Sequence, residues 1–269
     1  MSRCYERRDR EYGGGTFDAA ADVCYLLCMD DERREAAIAN LDRFRPCRRC
    51  VIQTNKGYLR CDKGLARDTS LCDIVDAYAA AFRHADLNGH GNVLVLEDDF
   101  FFDPEEREIV EECAGYVASF VNSREFDTYN LGKAMSICVP ATTDLRHFRS
   151  LYVGTSHAVI YSAAFRAKYA ERYASNPGKM CDMGLDLWWN TEGFANYAYR
   201  RAVCYQLFPM TENRRHWGTP PINLGIRILG LERSHVPGYA VLDAVGVLFV
   251  PVTVVMLVTI LLVWFHGSG

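Results

Sequence analysis

The sequence predicts an α/β protein whose mainly parallel sheet is flanked by helices and followed by a C-terminal transmembrane helix. Short apolar runs at 22–29, 50–54 and 93–96 alternate with longer amphipathic stretches. Continuous Val, Ile and Leu runs are typical of strands buried in a parallel sheet, and their alternation with helices is typical of α/β domains. The uncharged run at 244–265 is long enough to cross a bilayer as one helix.

Three strand–helix pairs are predicted in the first half of the chain. The strands lie at 22–29, 50–54 and 92–99, and the helices that follow them lie at 30–44, 70–87 and 103–121. The first helix begins with acids and then carries apolar residues at helical spacing. The third begins at Asp103 as N-cap, with Pro104 in the first helical position.

Beyond residue 125 the pattern is looser but still predicts strands and helices. Strands are expected at 126–132 and 156–162, a helix at 163–174, and a further helix or helical loop at 184–199. The charged, Gly-rich start of the chain predicts disorder. The expected organisation is therefore a disordered tail at 1–19, an α/β domain at 20–235 and a transmembrane helix at 240–265.

Composition excludes one function class and leaves a metal site open. The net charge of −4 and the pI near 6.0 provide no broad basic surface, so we expect no nucleic-acid partner. The eleven cysteines follow an N-terminus without an apolar signal-peptide core, which predicts reduced thiols. Cys47, Cys50, Cys61 and Cys72 leave a zinc site as an alternative, although their spacing matches no standard zinc finger.

Three acids follow the apolar strand at 93–96 directly. Glu97, Asp98 and Asp99 would repel one another at the end of a buried strand unless a cation neutralised them. Ligands of open α/β sheets bind beyond the carboxyl ends of the strands, and carboxylates there suit Mg²⁺ or Mn²⁺. Alternation along the strand places Glu97 and Asp99 on one side and Asp98 on the other.

A family resemblance rests on the run VLVLEDDFFFD at 93–103. It resembles the nucleotide-sugar and metal motif of glycosyltransferase family 25, which includes lipopolysaccharide β-galactosyltransferases and procollagen galactosyltransferases. Four more segments resemble that family in the same order: CYLLCMDDERREAAIANL, FDTYNLGKA, VGTSHAVIYSAAFRAKY and CDMGLDLWW. The resemblance covers roughly residues 20–210. It implies a GT-A fold and inverting transfer of a hexose from a sugar nucleotide, commonly with a divalent metal ion.

The resemblance implies a role for each acid. Glu97 and Asp99 are the expected ligands of Mn²⁺ or Mg²⁺, and Asp98 is the expected contact to the ribose or sugar of the donor, with a UDP-sugar as first candidate. A metal ion would act as Lewis acid on the departing diphosphate. Inversion needs a base for the acceptor hydroxyl, and Asp186 is the candidate, with Asp182 as the alternative.

Further donor contacts are expected beyond the first two strands. Asp30 and Arg33 follow the first strand and are candidates for contacts to the nucleotide base and phosphate, while Arg33 as an exposed helix residue is the alternative. Thr54 and Asn55 end the second strand and are candidates for the same ligand.

Four further residues have both a functional and a structural interpretation. His157 and His216 are candidate contacts to a diphosphate or metal ion, but single histidines are more often structural. Trp188 and Trp189 would stack on a sugar ring in the functional interpretation and belong to the core in the other.

The sequence departs from the family at one motif. Val75 and Asp76 stand where the family carries Ser and His. This departure favours an inactive, membrane-anchored protein with a glycosyltransferase-like fold, whereas the intact acids favour an enzyme with a glycan, glycolipid or glycoprotein acceptor. A metal-dependent phosphoesterase would need more acids and histidines at strand ends.

The charges around the apolar run at 244–265 predict an orientation. Arg227 and Arg233 precede the run, and neither Lys nor Arg follows it. Positive charge is enriched on the cytosolic side of membrane proteins, so we expect a C-terminal anchor with a cytosolic N-terminal domain.

Overall fold

The computed structural model describes residues 4–134, 136–209, 220–232 and 235–267. The strands in this part of the chain are β1 Tyr5–Glu11, β2 Val23–Met29, β3 Arg49–Asn55, β4 Val93–Glu97, β5 Phe100–Phe101, β6 Thr128–Asn130, β7 Ile137–Pro140, β8 His147–Tyr152, β9 Ala158–Tyr161, β10 Asn196–Tyr199 and β11 Tyr205–Gln206. The α-helices are α1 Arg33–Phe44, α2 Ser70–Leu87, α3 Arg107–Ser123, α4 Ala163–Ser175, α5 Pro177–Thr191, α6 Pro220–Ile228 and α7 His235–Gly267.

Nine of the described strands form one mixed sheet in the order β1-β3-β2-β4-β9-β6-β10-β8-β7. At its centre, β2 pairs in parallel with both β3 and β4, and β6 pairs in parallel with β10. The strands β1, β9 and β8 run against their neighbours. The predicted α/β class with a mainly parallel, helix-flanked sheet is confirmed.

The apolar runs of the sequence are explained by burial on both faces of the sheet. Leu94 and Leu96 of β4 pack in the core cluster that contains residues of α1 and α3. Val93 and Val95 pack in the opposite cluster, with residues of α2, α4 and α5. Because helices cover both faces, a central strand has no side that favours polar residues.

The first-half helices were predicted with nearly correct bounds. The Asp103 side chain accepts a hydrogen bond from the backbone of Glu105 at 2.9 Å, capping a 3₁₀ turn that leads into α3. The helix or helical loop predicted at 184–199 is wrong in its second half, because α5 ends at Thr191 and 196–199 form β10. Gly193 has a φ of +70°, which favours glycine and turns the chain back toward the sheet.

The disordered tail predicted at 1–19 is wrong for the described residues 4–19. Residues 5–11 form β1, an antiparallel edge strand on β3, and Phe17 is buried in the core. Charged side chains on an edge strand resemble a solvated tail in sequence, because only one edge of the strand is paired.

The prediction of reduced thiols is wrong for four cysteines, which form the disulfides Cys4–Cys61 and Cys72–Cys181. The first ties the N-terminus to the loop after β3, and the second ties the start of α2 to α5. These pairings also overturn the zinc alternative. Cys61 is bonded to Cys4 and Cys72 to Cys181, so neither sulfur is available to bind a metal ion together with Cys47 and Cys50.

The C-terminal helix α7 is the one described helix that is long and apolar enough to cross a membrane. Residues 235–261 have a mean hydropathy of 2.7 over the apolar window. The side chains from Val252 to Leu261 are exposed, whereas Tyr239, near the start of the helix, is 1% exposed. The helix therefore has a docked first part and an unpartnered apolar part.

Candidate active site at the carboxyl ends of the central strands

A cavity of about 680 Å³ lies where β2, β3 and β4 end. Met29, Asn55 and Glu97 end these three strands and line the cavity. The three strands are parallel, so their carboxyl ends meet at one edge of the sheet, which is where open α/β sheets bind ligands. The cavity also contains Asp98 and Asp99, so the structure brings the whole predicted acidic run to one site.

Glu97 is held by two hydroxyl groups. The hydroxyls of Tyr78 on α2 and Ser156 before β9 each donate to Glu97 Oε1 at 2.7 Å. Burial raises the pKa of Glu97, and these two hydrogen bonds oppose that rise by stabilising the carboxylate. Only Oε1 is used in these contacts.

Asp98 pairs with Arg33, the first residue of α1. Arg33 Nη1 donates to Asp98 Oδ1 at 2.9 Å, and Nη2 lies 3.3 Å from Asp31 Oδ2. Burial raises the pKa of Asp98 to about 6, against the lowering effect of the Arg33 charge. All three acids line the same cavity, so the predicted placement of Glu97 and Asp99 on one side and Asp98 on the other stays a prediction.

Asp99 is the most deeply buried acid of the three, at 8% exposure. Its Oδ2 accepts a hydrogen bond from Gln206 Nε2 at 2.9 Å, while its Oδ1 is buried and has no hydrogen-bond partner in the part of the chain that the structure describes. Burial and then the charges of Glu97 and Asp98 raise the pKa of Asp99 to about 8. A buried carboxylate oxygen without a partner is costly unless a ligand neutralises it.

The donor set of the site fits a divalent cation. Three carboxylates line the cavity, and Asp99 Oδ1 is available to a ligand. Hard oxygen ligands of this kind suit Mg²⁺ or Mn²⁺, which keep coordination positions for substrate phosphates. Among the described residues, however, no three His, Cys, Asp or Glu side chains already converge as a metal site. Glu97 and Asp99, the two expected ligands, would have to close on the ion.

Cationic side chains line the same cavity. Arg33 and Lys56 lie there with Arg60, whose Nη2 donates to the backbone oxygen of Asp30 at 3.0 Å. An anionic ligand in the cavity would therefore meet three positive side chains as well as the acids. This arrangement suits a diphosphate bound together with a metal ion.

The buried side chain of Lys63 fixes Asn55 at the cavity. Lys63 Nζ donates to Asn55 Oδ1 at 2.6 Å and pairs with Asp73, which also accepts from Asn55 Nδ2 at 2.9 Å. Asn55 and Asp73 both line the cavity. Asn55 thus lies at the cavity, with its amide orientation set by Lys63 and Asp73, and its contact to a donor stays a prediction.

Some predicted contact residues do not line the cavity. Asp30 pairs with Arg34 on the surface of α1, and its side chain is 44% exposed. Thr54 is buried under the strand end, with Oγ1 3.8 Å from Cys28 Sγ. Strand alternation explains the second case, because Thr54 and Asn55 point to opposite faces.

The structure does not test the candidate base Asp186. Its backbone lies in α5, but its side chain is outside the described part of the chain. The alternative, Asp182, is exposed and pairs with Arg67, and it does not line the cavity.

Only one of the two candidate histidines, His157, belongs to the described part of the chain. His157 is buried, with Nε2 3.3 Å from the backbone oxygen of Cys204, and burial lowers its pKa to about 4. It does not line the cavity, so the structural interpretation applies. His216 lies outside the described residues.

The aromatic and motif-departure residues also lie outside the cavity. Trp188 and Trp189 are 1% exposed and pack in the core with Phe165, so they are core residues. Val75 is buried, and Asp76 accepts a hydrogen bond from the Tyr173 hydroxyl at 2.6 Å. The departure from the family motif therefore does not alter the lining of this cavity.

Three residues of the site were not predicted from the sequence. Tyr78 falls within the helix predicted at 70–87 and Ser156 begins the strand predicted at 156–162, while Gln206 had no predicted role. Each meets its acid across a long chain separation, 107 residues for Gln206 and Asp99. Nothing in their residue types or positions distinguishes these three residues from many other polar residues of the chain.

No protein-family model matches the chain, and no curated protein matches it. Among solved structures, the chain is similar to a glycosyltransferase involved in the glycosylation of the major capsid of PBCV-1, with a TM-score of 0.35 and 8% identity over 64% of this chain and 71% of that chain. It is also similar to a Bacillus anthracis protein assigned as a glucose-1-phosphate thymidylyltransferase, crystallised with sucrose, with a TM-score of 0.35 and 12% identity over 71% and 73%. Membership of family 25 stays a prediction, and similarity at this level does not bear on activity.

The buried acids predict a fall in stability with rising pH when chelator is present. The pKa of Asp99 is about 8 in the folded protein and about 4 when unfolded. Between these values the folded state binds the extra proton, so the free energy of unfolding decreases as pH rises. From pH 6.5 to 8.5 we expect a decrease of up to about 2 kcal/mol, seen as a lower melting temperature.

This pH window separates Asp99 from the histidines and from Asp98, whereas burial raises the pKa of the neighbouring Glu97 as well. His147 and His157 have a pKa near 4, but they affect stability only below the ordinary histidine pKa of about 6.5. Asp98, with a pKa near 6, is ionised across the window. Asp99→Asn should remove most of the slope, and an unchanged slope in that variant would contradict the assignment.

Proposed function

We propose that the protein is a glycosyltransferase that transfers a hexose from a sugar nucleotide, with a UDP-sugar as first candidate, to a hydroxyl group of a glycan, lipid or protein acceptor. The observation that supports this proposal is the cavity at the ends of the parallel strands. It combines three acids, an unpartnered oxygen on Asp99 and the cationic side chains of Arg33, Lys56 and Arg60. This is a donor set for a metal ion and a diphosphate together.

Each side chain of the cavity has a role in this proposal. Glu97 and Asp99 would hold Mn²⁺ or Mg²⁺, which when bound neutralises the diphosphate and helps it to leave. Asp98 would contact the ribose or sugar of the donor. Arg33 holds Asp98 and adds positive charge beside the phosphates. Lys56 and Arg60 add positive charge from the loop after β3. The chain thereby orients the donor and stabilises the leaving group.

The transfer itself is a single displacement with inversion. The acceptor oxygen bonds to the anomeric carbon while the bond from that carbon to the diphosphate oxygen breaks. The hydroxyl proton passes to a carboxylate on the acceptor side. Asp186 stays the candidate for that base.

The proposal includes anchoring by α7. The apolar part of this helix, whose candidate span is His235–Leu261, suits a single crossing of a membrane. The two disulfides favour an oxidising compartment for the domain, in contrast to the cytosolic side that the charge pattern predicts.

Hydrolysis and binding of sugar nucleotides test the proposal. The full chain in detergent is incubated with a panel of UDP-, GDP- and CMP-sugars, with Mn²⁺ or with chelator. We expect one donor to bind and to be hydrolysed slowly with Mn²⁺, and chelator to abolish turnover. The matched control is Asp144→Asn, which changes an exposed acid in the turn between β7 and β8.

The outcomes separate two functions. Absence of both binding and hydrolysis for every donor would contradict the proposed enzyme function. Binding without turnover, with or without added acceptor, would instead support the inactive, membrane-anchored protein that the Val75 and Asp76 departure favours.

A further inference from the structure

Gln206 lines the cavity and also contacts the C-terminal helix α7. Its side-chain Nε2 donates to Asp99 Oδ2 at 2.9 Å. Its backbone N–H donates to the hydroxyl oxygen of Tyr239, on α7, at 2.8 Å. A single residue of β11 thus connects the candidate metal ligand to the C-terminal helix.

The contacts around Gln206 leave it little freedom. The backbone N–H of Leu207 donates to the backbone oxygen of Asp99 at 2.8 Å, so this segment is bonded to the acidic run twice. Phe208 lines the cavity and packs in the same hydrophobic cluster as Tyr239. The ring of Tyr205 lies edge-on to that of Tyr239, with centroids 4.9 Å apart. Tyr239 therefore contacts the segment that forms one wall of the cavity.

The first part of α7 is fixed to the domain by polar contacts as well. Asp243 Oδ2 accepts a hydrogen bond from the backbone N–H of Ala202 at 2.8 Å, and Oδ1 lies 3.2 Å from Lys133 Nζ. Gly246 lies so close to the backbone oxygen of Ser136 that a Cβ there would collide with it. A helix that served only as a tether would need none of these contacts.

We infer that α7 is part of the active site as well as an anchor, and that Tyr239 is a positioning residue that acts on Asp99 through Gln206. The inference rests on the proposed function, because Asp99 matters as a ligand of the metal ion. The Tyr239 hydroxyl satisfies the buried N–H of Gln206 and holds its side chain against Asp99 Oδ2. This leaves Asp99 Oδ1 for the ion. Partners of this kind orient ligands and tune metal affinity.

The test compares two Tyr→Phe variants of the full chain in detergent. Tyr239→Phe removes the hydroxyl that accepts from Gln206. Tyr205→Phe is the matched control, because it removes a hydroxyl from the same cluster that bonds instead to Glu106 Oε2 at 2.6 Å. The measurements are the Mn²⁺ dissociation constant, from electron paramagnetic resonance titration, and hydrogen–deuterium exchange of residues 202–209.

We expect Tyr239→Phe to weaken Mn²⁺ binding by about tenfold and to speed exchange at 202–209, and Tyr205→Phe to leave Mn²⁺ affinity near the wild-type value. In the Gln206→Ala background, which is itself weakened, adding Tyr239→Phe should cause no further loss. A purely structural role of Tyr239 would add its effect to that of Gln206→Ala.

Three outcomes would overturn the inference. Unchanged Mn²⁺ affinity in Tyr239→Phe overturns it while leaving the proposed function intact, and so does an additive loss in the double variant. Failure of the wild-type chain to bind Mn²⁺ overturns the metal-assisted function and this inference together.

Discussion

Asp99→Asn is expected to lower Mn²⁺-dependent turnover of the sugar nucleotide by about 100-fold or more, with the chain still folded. Asn keeps an oxygen that can accept from Gln206 but loses the negative charge of the second oxygen, which has no hydrogen-bond partner among the described residues. The loss therefore falls on cation binding. Initial rates at saturating donor, measured over a range of Mn²⁺ concentrations, are the readout.

A folding control accompanies this variant. Because burial raises the pKa of Asp99 to about 8, the neutral Asn side chain should not destabilise the chelator-treated protein at pH 8.5, and its melting temperature should equal or exceed that of wild type. The Asp144→Asn control should retain wild-type turnover. Wild-type activity in Asp99→Asn at low Mn²⁺ would show that this carboxylate is not a ligand.

Asp243→Ala is expected to destabilise the chain by about 3 kcal/mol, because it leaves a buried ammonium group without its counter-ion. The side chains of Lys133 and Asp243 are 1% and 13% exposed. Lys133 Nζ also donates to the backbone oxygen of Arg200 at 2.8 Å, which offsets only part of the loss. The backbone N–H of Ala202 loses its acceptor as well.

Thermal unfolding of the full chain in detergent measures this effect. The matched variant is Lys133→Met combined with Asp243→Leu, which removes both charges and should recover much of the lost stability. If Asp243→Ala unfolds at the wild-type temperature, the ion pair does not hold α7 to the domain. Equal losses in the single and double variants would show that the backbone contact of Ala202, and not the charge of Lys133, dominates.

The α/β class and the position of the acidic site could be predicted from local pattern. Residues 93–96 are apolar because both faces of β4 are buried, so the run itself indicates a central parallel strand. Glu97, Asp98 and Asp99 then had to lie at the carboxyl end. The candidate Arg33 follows the neighbouring strand and reaches the same edge, where it meets Asp98.

Elements without a distinctive local pattern could not be predicted. Most residues of β1 are charged, as in a solvent-exposed segment, and only their pairing with β3 makes them a strand. The antiparallel strand β9 was expected as a strand, but its insertion between β4 and β6 depends on how the whole sheet assembles. Disulfide pairing was hidden for the same reason: Cys72 and Cys181 are 109 residues apart.

The sequence by itself determined the parallel centre of the sheet, the acidic run at its edge and the apolar C-terminal helix, since each follows from periodicity or charge over a few neighbouring residues. Only the tertiary structure decided which groups hold those acids. Tyr78 and Ser156 on Glu97, and Gln206 on Asp99, meet their partners across layers of the fold. The link from Gln206 to Tyr239 joins the site to α7 in the same way. Such contacts depend on how helices pack on the sheet, and this packing cannot be predicted from the pattern of a few neighbouring residues.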